Sequence, residues 1–208
     1  VTPAGRIGPN AITRVAEVLA PRFGAAATLT LFEHAGLRHH LLAPPTDMVD
    51  EAEVRALHRA LRDMLGGPAA RGVARAAGER TADYLLAHRI PKPAQVLLKA
   101  LPAALAARVL LAAVTRNAWT FAGSGAFSAR AGRPCVLTIR GNPLCRDVTA
   151  AEPACDFYAG TFERLFRVLV HPASQVREVA CEARGDSECR FEVAWPAGGG
   201  RRSARAAA

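Results

Sequence analysis

The chain changes its hydrophobic period near Gly123. Before that point apolar residues recur three and four apart in one run after another. After it, Phe127, Cys135, Leu137 and Ile139 fall at alternating positions, the spacing of half-buried strands. Helices first, then strand, strand, helix, strand, strand is not the repeating βαβ order of a parallel sheet. The expected fold class is therefore α+β, an antiparallel sheet packed against helices on one side. The 208 residues, half of them apolar, suffice for one sizeable core. The expected division is a single domain over 1–197, with a helical part over 1–122 and a core over about 123–195. The tail "GGGRRSARAAA", 198–208, is Gly-rich and then basic, a composition expected to be disordered.

Within the helical part, "GPNAITRVAEVLAPRFG" (8–24) places Ile12, Val15, Val18 and Leu19 on one face, with Asn10 as N-cap and Gly24 as stop. Residues 27–42 mix the two periods and fit a strand or a helix. "TDMVDEAEVRALHRALRDMLG" (46–66) is expected to be a helix capped by Thr46 or Asp47, with Asp50, Glu51 and Glu53 near its positive end and Gly66 after it. On 68–89 the small residues Gly72, Ala76, Ala77 and Gly78 would let another helix approach closely. The apolar stretch 94–114 is interrupted by Lys99, Pro102 and Arg108, so it lacks the run of about 18 apolar residues a spanning helix needs. It reads as a buried helix kinked near Pro102. Two strands are expected around Ala131-Gly132, then a helix over 153–171 with Phe157, Phe162, Leu165, Phe166 and Leu169 as its stripe. A hairpin over 175–195 follows.

The net charge of +9 comes almost wholly from arginine, Lys92 and Lys99 being the two lysines. These charges are scattered and have no interleaved aromatics, so they read as a solvated surface and no nucleic-acid partner is expected. No basic segment, apolar run and small-residue cleavage site opens the chain, so a reducing, cytoplasmic setting is expected and disulfides are disfavoured.

That setting bears on "VREVACEARGDSECRFEV" (176–193). A hairpin turning at Gly185-Asp186 puts Cys181 and Cys189 opposite each other, with Cβ atoms about 4.5–5.5 Å apart. Such a pair suits a shared metal or a cross-strand disulfide. Cys155 lies at the start of the helix expected over 155–170, where unpaired N–H groups favour a thiolate, the form zinc binds. Glu178 can add an oxygen to complete a four-coordinate site, but only if a bulge or strand end lies between it and Cys181. The chain holds no C-x-x-C, and spacing alone favours buried free thiols.

The run from "NPLC" through "CDFYAGTFERLFRVL" to "VREVACEARGDSECRFEV" resembles the vinyl-4-reductase domain. That family's pattern is a Cys shortly before a Tyr/Gly helix and then an E-x-x-C-x-x-x-G-D-x-x-C hairpin. The resemblance covers about the last third of the chain. It implies a structural zinc held by Cys155, Glu178, Cys181 and Cys189, and it leaves Cys135 and Cys145 outside the ligand pattern as buried thiols. It also implies an α/β sandwich that dimerises through its helices and encloses an apolar pocket. Length and the Arg/Ala-rich helical first part further resemble the family's photosynthetic members, which act in bacteriochlorophyll biosynthesis. Their historical name implies reduction of the vinyl group of a divinyl (proto)chlorophyllide.

The residues give that reaction little support. Gly123-Ser124-Gly125 lacks the third glycine of a dinucleotide fingerprint and precedes a strand-like segment. No flavin motif is read, and the cysteines are not clustered as in an iron–sulfur protein. Zinc itself has no redox chemistry. The first expectation is therefore a non-catalytic carrier that holds Mg-protoporphyrin or divinyl protochlorophyllide between apolar walls and passes it to other enzymes of the pathway. No catalytic residue is nominated. The expected walls are Trp119, Phe121, Phe127, Tyr158 and Phe162, with arginines for the propionates and His88 or His171 for a chelated metal. The alternative is a vinyl reductase fed by an external electron donor; a third reading is a ligand-sensing adaptor. A homodimer is expected, cytoplasmic or peripheral to the photosynthetic membrane.

Overall fold

A computed structural model describes residues 5–196, and over them the order is helices, strand, strand, helix, strand, strand. The expected tail 198–208 lies outside the described residues. One addition precedes the helices: β1 (Arg6–Ile7) pairs antiparallel with β2 (Val49–Asp50).

That short ladder moves two helix starts from where local capping signals put them. β2 holds Val49 and Asp50 extended, so α3 runs from Glu51 to Leu65 and its cap is Asp50, whose carboxylate accepts the Ala52 N–H at 2.7 Å. Thr46 and Asp47, the expected caps, fall before the ladder. α3 closes at Gly66, as expected, with φ 75°. α1 (Asn10–His34) follows Pro9, and Asn10 uses its side-chain oxygen to accept from Arg14 Nε at 3.0 Å, so it is not the cap. Gly24 breaks α1 with φ 85° and ψ 165°, three residues after Pro21, and the chain then resumes helix to His34. The expected stop is thus a kink, and most of the ambiguous stretch 27–42 is helical, ending in α2 (His39–Leu42). Among the described residues α1 is the one helix long and apolar enough to cross a membrane. Its Ile12, Val15, Leu19, Leu31 and Phe32 are buried, and it packs on α3 and α4.

The apolar stretch 94–114 is two helices, α5 (Lys92–Ala100) and α6 (Ala103–Arg116), separated where Leu101 turns extended before Pro102. A 3-10 turn at Ala118–Thr120 ends the helical part. The sheet is antiparallel in the order β3 (Ala126–Arg130), β4 (Cys135–Arg140), β6 (Cys189–Ala194), β5 (Gln175–Ala180). Leu137 lies opposite Phe191 and Ile139 opposite Cys189, so one face collects Cys135, Leu137, Ile139, Cys189, Phe191 and Val193, all buried. α7 (Asp156–Leu169) covers the sheet, and α4 (Gly67–His88) packs on α7.

The α4–α7 approach depends on two glycines. A Cβ on Gly78 would sit 2.0 Å from the Phe157 carbonyl oxygen, and one on Gly160 would sit 2.3 Å from that of Arg75. Thr161 bridges the pair by donating to the carbonyls of Gly78 (3.1 Å) and Phe157 (2.8 Å). The small-residue face of α4 is therefore a contact at Gly78, whereas Gly72 meets nothing closer than 3.9 Å. Alanine is favoured over glycine in a helix by about 1 kcal/mol, but overpacking at a backbone contact costs about 1–3 kcal/mol. Gly78→Ala and Gly160→Ala should each lower the midpoint of thermal unfolding, while Gly72→Ala should raise it or leave it unchanged; the same sign at all three positions would refute the close-packing account.

Candidate metal centre and the cleft beside it

Four cysteines converge at one end of the sheet, each from a different segment. Cys189 opens β6 and faces inward opposite Ile139. Cys181 follows β5 just past a bulge between Glu178 and Ala180, the irregularity that the Glu178/Cys181 spacing called for. Its N–H donates to Asp186 at 2.8 Å, and Gly185 turns the connection with φ 94°. Cys155 stands at the N-cap of α7. Cys145 comes from the turn after β4, where the Asn142 side chain accepts from Leu144 N at 3.0 Å and donates to Cys155 Sγ at 3.2 Å. The Glu182 carboxylate fixes that turn by accepting from the N–H groups of Gly141 (2.6 Å) and Asn142 (2.7 Å).

Cys145 Sγ lies 3.1 Å from Cys155, 3.6 Å from Cys181 and 3.5 Å from Cys189. Cys155 Sγ lies 3.9 Å from Cys181 and 3.6 Å from Cys189. These separations exceed the roughly 2.05 Å of a disulfide, and all the cysteines are free. They match the edges of a sulfur tetrahedron around one zinc ion, about 3.8 Å for bonds of about 2.3 Å. Sulfurs this close leave room for a single ion and none for the bridging sulfides of an iron–sulfur cluster.

The electrostatics point the same way. Hydrogen bonds from Cys145 and Cys155 push the Cys181 and Cys189 thiols down, while burial pushes Cys155 up. Backbone N–H groups of Ala154 and Glu182 reach Cys181 and Cys189 sulfur, each at 3.4 Å. Fully buried thiolates need a cation nearby. The buried set of Cys145, Cys155, Cys181 and Cys189 could hold a metal ion, and its soft donors suit zinc.

Three of the four residues expected as ligands are thus together, and the structure adds Cys145, which the family pattern had left out. Glu178 stands at the edge of the cluster. One of its oxygens accepts the Cys155 N–H at 2.9 Å; the other, Oε1, is buried without a partner. Burial, reinforced by Cys181, pushes this carboxyl up to about 9. Cys135 is a buried thiol as expected, directed at the Gly132 carbonyl. A signal for Cys145 was present in "NPLC": a short turn that ends in a thiol ten residues before Cys155.

The expected pocket walls are placed differently. Phe121, Phe127, Tyr158 and Phe162 pack on one another with ring centroids 5.1–6.2 Å apart, and the Tyr158 hydroxyl donates to the Phe121 carbonyl at 2.8 Å. Their mutual edge and stacked contacts make them core. Trp119 is 64% exposed. His88 is exposed beside Tyr84, and buried His171 accepts the Ala173 N–H to close a turn. Ser124, in the Gly-Ser-Gly stretch, gives both its N–H and its hydroxyl to Glu51, each at 2.7 Å, so that amide is already occupied.

A cleft of about 320 Å³ opens instead between α3, the start of α4 and the segment leading into α7, lined by His58, Leu61, Arg62, Pro68, Arg71 and Asp156 among others. His58 is 2% exposed. Burial, aided by the charge of Arg62, pushes its imidazole down to about 3, so the ring is neutral. A hydrogen bond with the Ala11 backbone holds it, Phe157 meets it edge-on, and Nε2 has no partner. Arg62 carries an equally unpartnered buried Nη2 and interacts electrostatically with Cys145 and Cys155. Neither residue stood out in the sequence, where both are ordinary members of an amphipathic helix.

The vinyl-4-reductase domain model matches residues 135–194, the stretch that holds most of the sheet, α7 and all four clustered cysteines. The fold is similar to that of H-NOX protein from K. algicida, with a TM-score of 0.59 and 11% identity, over 90% of this chain and 96% of that one. A further H-NOX structure, concerned with heme distortion, gives a TM-score of 0.57 at 11% identity, covering 91% and 95%. The phenol-responsive sensory domain of the transcription activator PoxR, with phenol, gives 0.52 at 16% identity, covering 70% and 74%. In sequence the chain is 46% identical over 190 residues to the bacteriochlorophyll synthase 23 kDa chain of Cereibacter sphaeroides, covering 91% of each. With identity of that extent, the chain belongs to the family of bacteriochlorophyll synthase 23 kDa chains and carries its vinyl-4-reductase domain.

Proposed function

We propose that this chain serves bacteriochlorophyll biosynthesis as a non-catalytic carrier of a tetrapyrrole precursor, built around a structural zinc ion. The observation that carries the reading is the cleft beside the cysteine cluster, where a neutral imidazole and a guanidinium are both buried with an atom lacking any partner. Such groups are costly to bury unsatisfied, and they gain partners from a ligand. Arg62 suits a propionate, the leucine, proline and alanine walls suit a flat ring system, and His58 offers a nitrogen to the ligand. Family membership supports the pathway. The likeness in fold to proteins whose structures concern heme or phenol supports an aromatic ligand.

Zinc is assigned here to the four sulfurs, with Glu178 steadying Cys155 through its backbone N–H. When bound, the ion would cross-link sheet and helix and neutralise thiolates; a closed site of this kind leaves no position for substrate. The cargo would be Mg-protoporphyrin or divinyl protochlorophyllide, released to other enzymes of the pathway. The cytoplasmic setting beside the photosynthetic membrane and the homodimer belong to the same proposal.

Titration of the purified protein with either pigment, followed by absorption and fluorescence with and without NADPH, is expected to show saturable binding and an unchanged vinyl group. Arg62→Met should weaken binding about 10–100-fold, the usual effect of deleting a charged hydrogen-bond partner. Formation of the ethyl product by this chain alone would instead make it a reductase. Removing the metal with a strong chelator should lower the thermal midpoint by about 10 °C or more, because structural zinc contributes directly to folding; a protein that holds no metal and melts unchanged would refute the zinc assignment.

A further inference from the structure

At the opposite end of α3 from Arg62, a second group of metal-binding side chains has assembled. α2 places His39 and His40 against Glu53 in the first turn of α3. His40 Nε2 lies 3.1 Å from one carboxylate oxygen of Glu53, and His39 Nε2 lies 3.7 Å from the other. The donor atoms of all three residues fall within 4.8 Å of one another. The two imidazoles are 4.0 Å apart, centroid to centroid.

We propose that His39, His40 and Glu53 form a second metal site, distinct from the cysteine cluster, which takes a divalent transition ion such as Zn²⁺, Co²⁺ or Ni²⁺ and leaves coordination positions open to solvent. Bonds of about 2.0–2.1 Å to nitrogen and oxygen put tetrahedral donors about 3.4 Å apart, between the two distances observed. Imidazole and carboxylate together select such ions over Mg²⁺ or Ca²⁺. The site is graded in exposure: the His40 side chain is 10% exposed, that of Glu53 32% and that of His39 59%. His40 is therefore held in place before an ion arrives, and the ion enters from the His39 side. Three protein ligands leave a four-coordinate ion one position for water or for a carboxylate from another molecule. In the metal-free state the same nitrogens can donate hydrogen bonds to the carboxylate, so the side chains need little movement to exchange protons for an ion.

The ion would also tie α2 to α3 across residues 43–48, a segment otherwise fixed mainly by the two-residue β1–β2 ladder. This proposal does not depend on the pigment reading, since it concerns other residues and a different ligand.

The test is equilibrium binding of Co²⁺ to the full chain, with absorption spectra separating the two environments. Thiolate ligation gives intense sulfur-to-cobalt charge-transfer bands; a nitrogen and oxygen site gives only weak d–d bands. The expected result is one Co²⁺ per chain bound without charge-transfer intensity, in addition to any bound by thiolates. Its affinity should fall at least about tenfold in both His40→Ala and Glu53→Gln, with the thiolate bands and circular dichroism unchanged. Two variants are used so that a folding defect in one does not decide the matter. No such extra ion, or one bound equally well by both variants, would overturn the proposal.

Discussion

Four sulfur atoms forced into contact are the constraint on which the rest of this structure depends. They come from the turn after β4, the start of α7, the end of β5 and the start of β6, so their convergence joins every element of the C-terminal half except β3. Thiolates at such separations repel strongly in a low dielectric. Neutral thiols would gain little from one another there. A single cation bound to all four resolves the repulsion and fastens α7 across the sheet, and the backbone around the cluster is arranged to suit it. Asn142, Glu182 and Asp186 fix the turns, and the Ala154 and Glu182 amides point at sulfur.

From this centre the architecture extends outward. α7 is held against the sheet on one side by the cluster and by the Phe162–Phe191 contact. On its other side it takes α4 at glycine distance. α3 packs beside α4 and carries His58 and Arg62 to the segment that leads into Cys155. Arg62 thus belongs to two environments, the field of the cysteines and the lining of the cleft. Occupancy of one bears on the other through that single charge, which gives the cysteine centre a means of influencing what the cleft holds without contacting it.

The period of the apolar residues was enough to read the class, the helix–strand order, the break at Pro102 and the strand pairs. It failed where distant residues intervene. Local signals named Thr46 or Asp47 as a cap, but pairing with Arg6–Ile7 keeps the chain extended to Asp50. Gly24 was legible as an interruption, yet whether a helix resumes after it depends on burial of Leu31 and Phe32 by other helices. At the candidate site Cys155, Cys181 and Cys189 were legible from spacing and resemblance, and so was the need for a bulge after Glu178. Cys145 was not, because its approach is made by a turn whose course Asn142 and Glu182 determine. The aromatic residues illustrate another limit: rings that line a cavity and rings that fill one have the same sequence. Conversely, His58 and Arg62 resemble any polar residues on an amphipathic helix until α4 and the 150–156 segment close over them.

The most direct test of the central claim is X-ray absorption at the zinc edge of the protein purified with its metal. This account predicts a single zinc shell of four sulfurs at about 2.3 Å, lost or altered in Cys145→Ser and unchanged in Glu178→Gln. A shell of three sulfurs and one oxygen that changes in Glu178→Gln and ignores Cys145→Ser would contradict it, and would make Cys145 a bystander pressed against a site completed by Glu178.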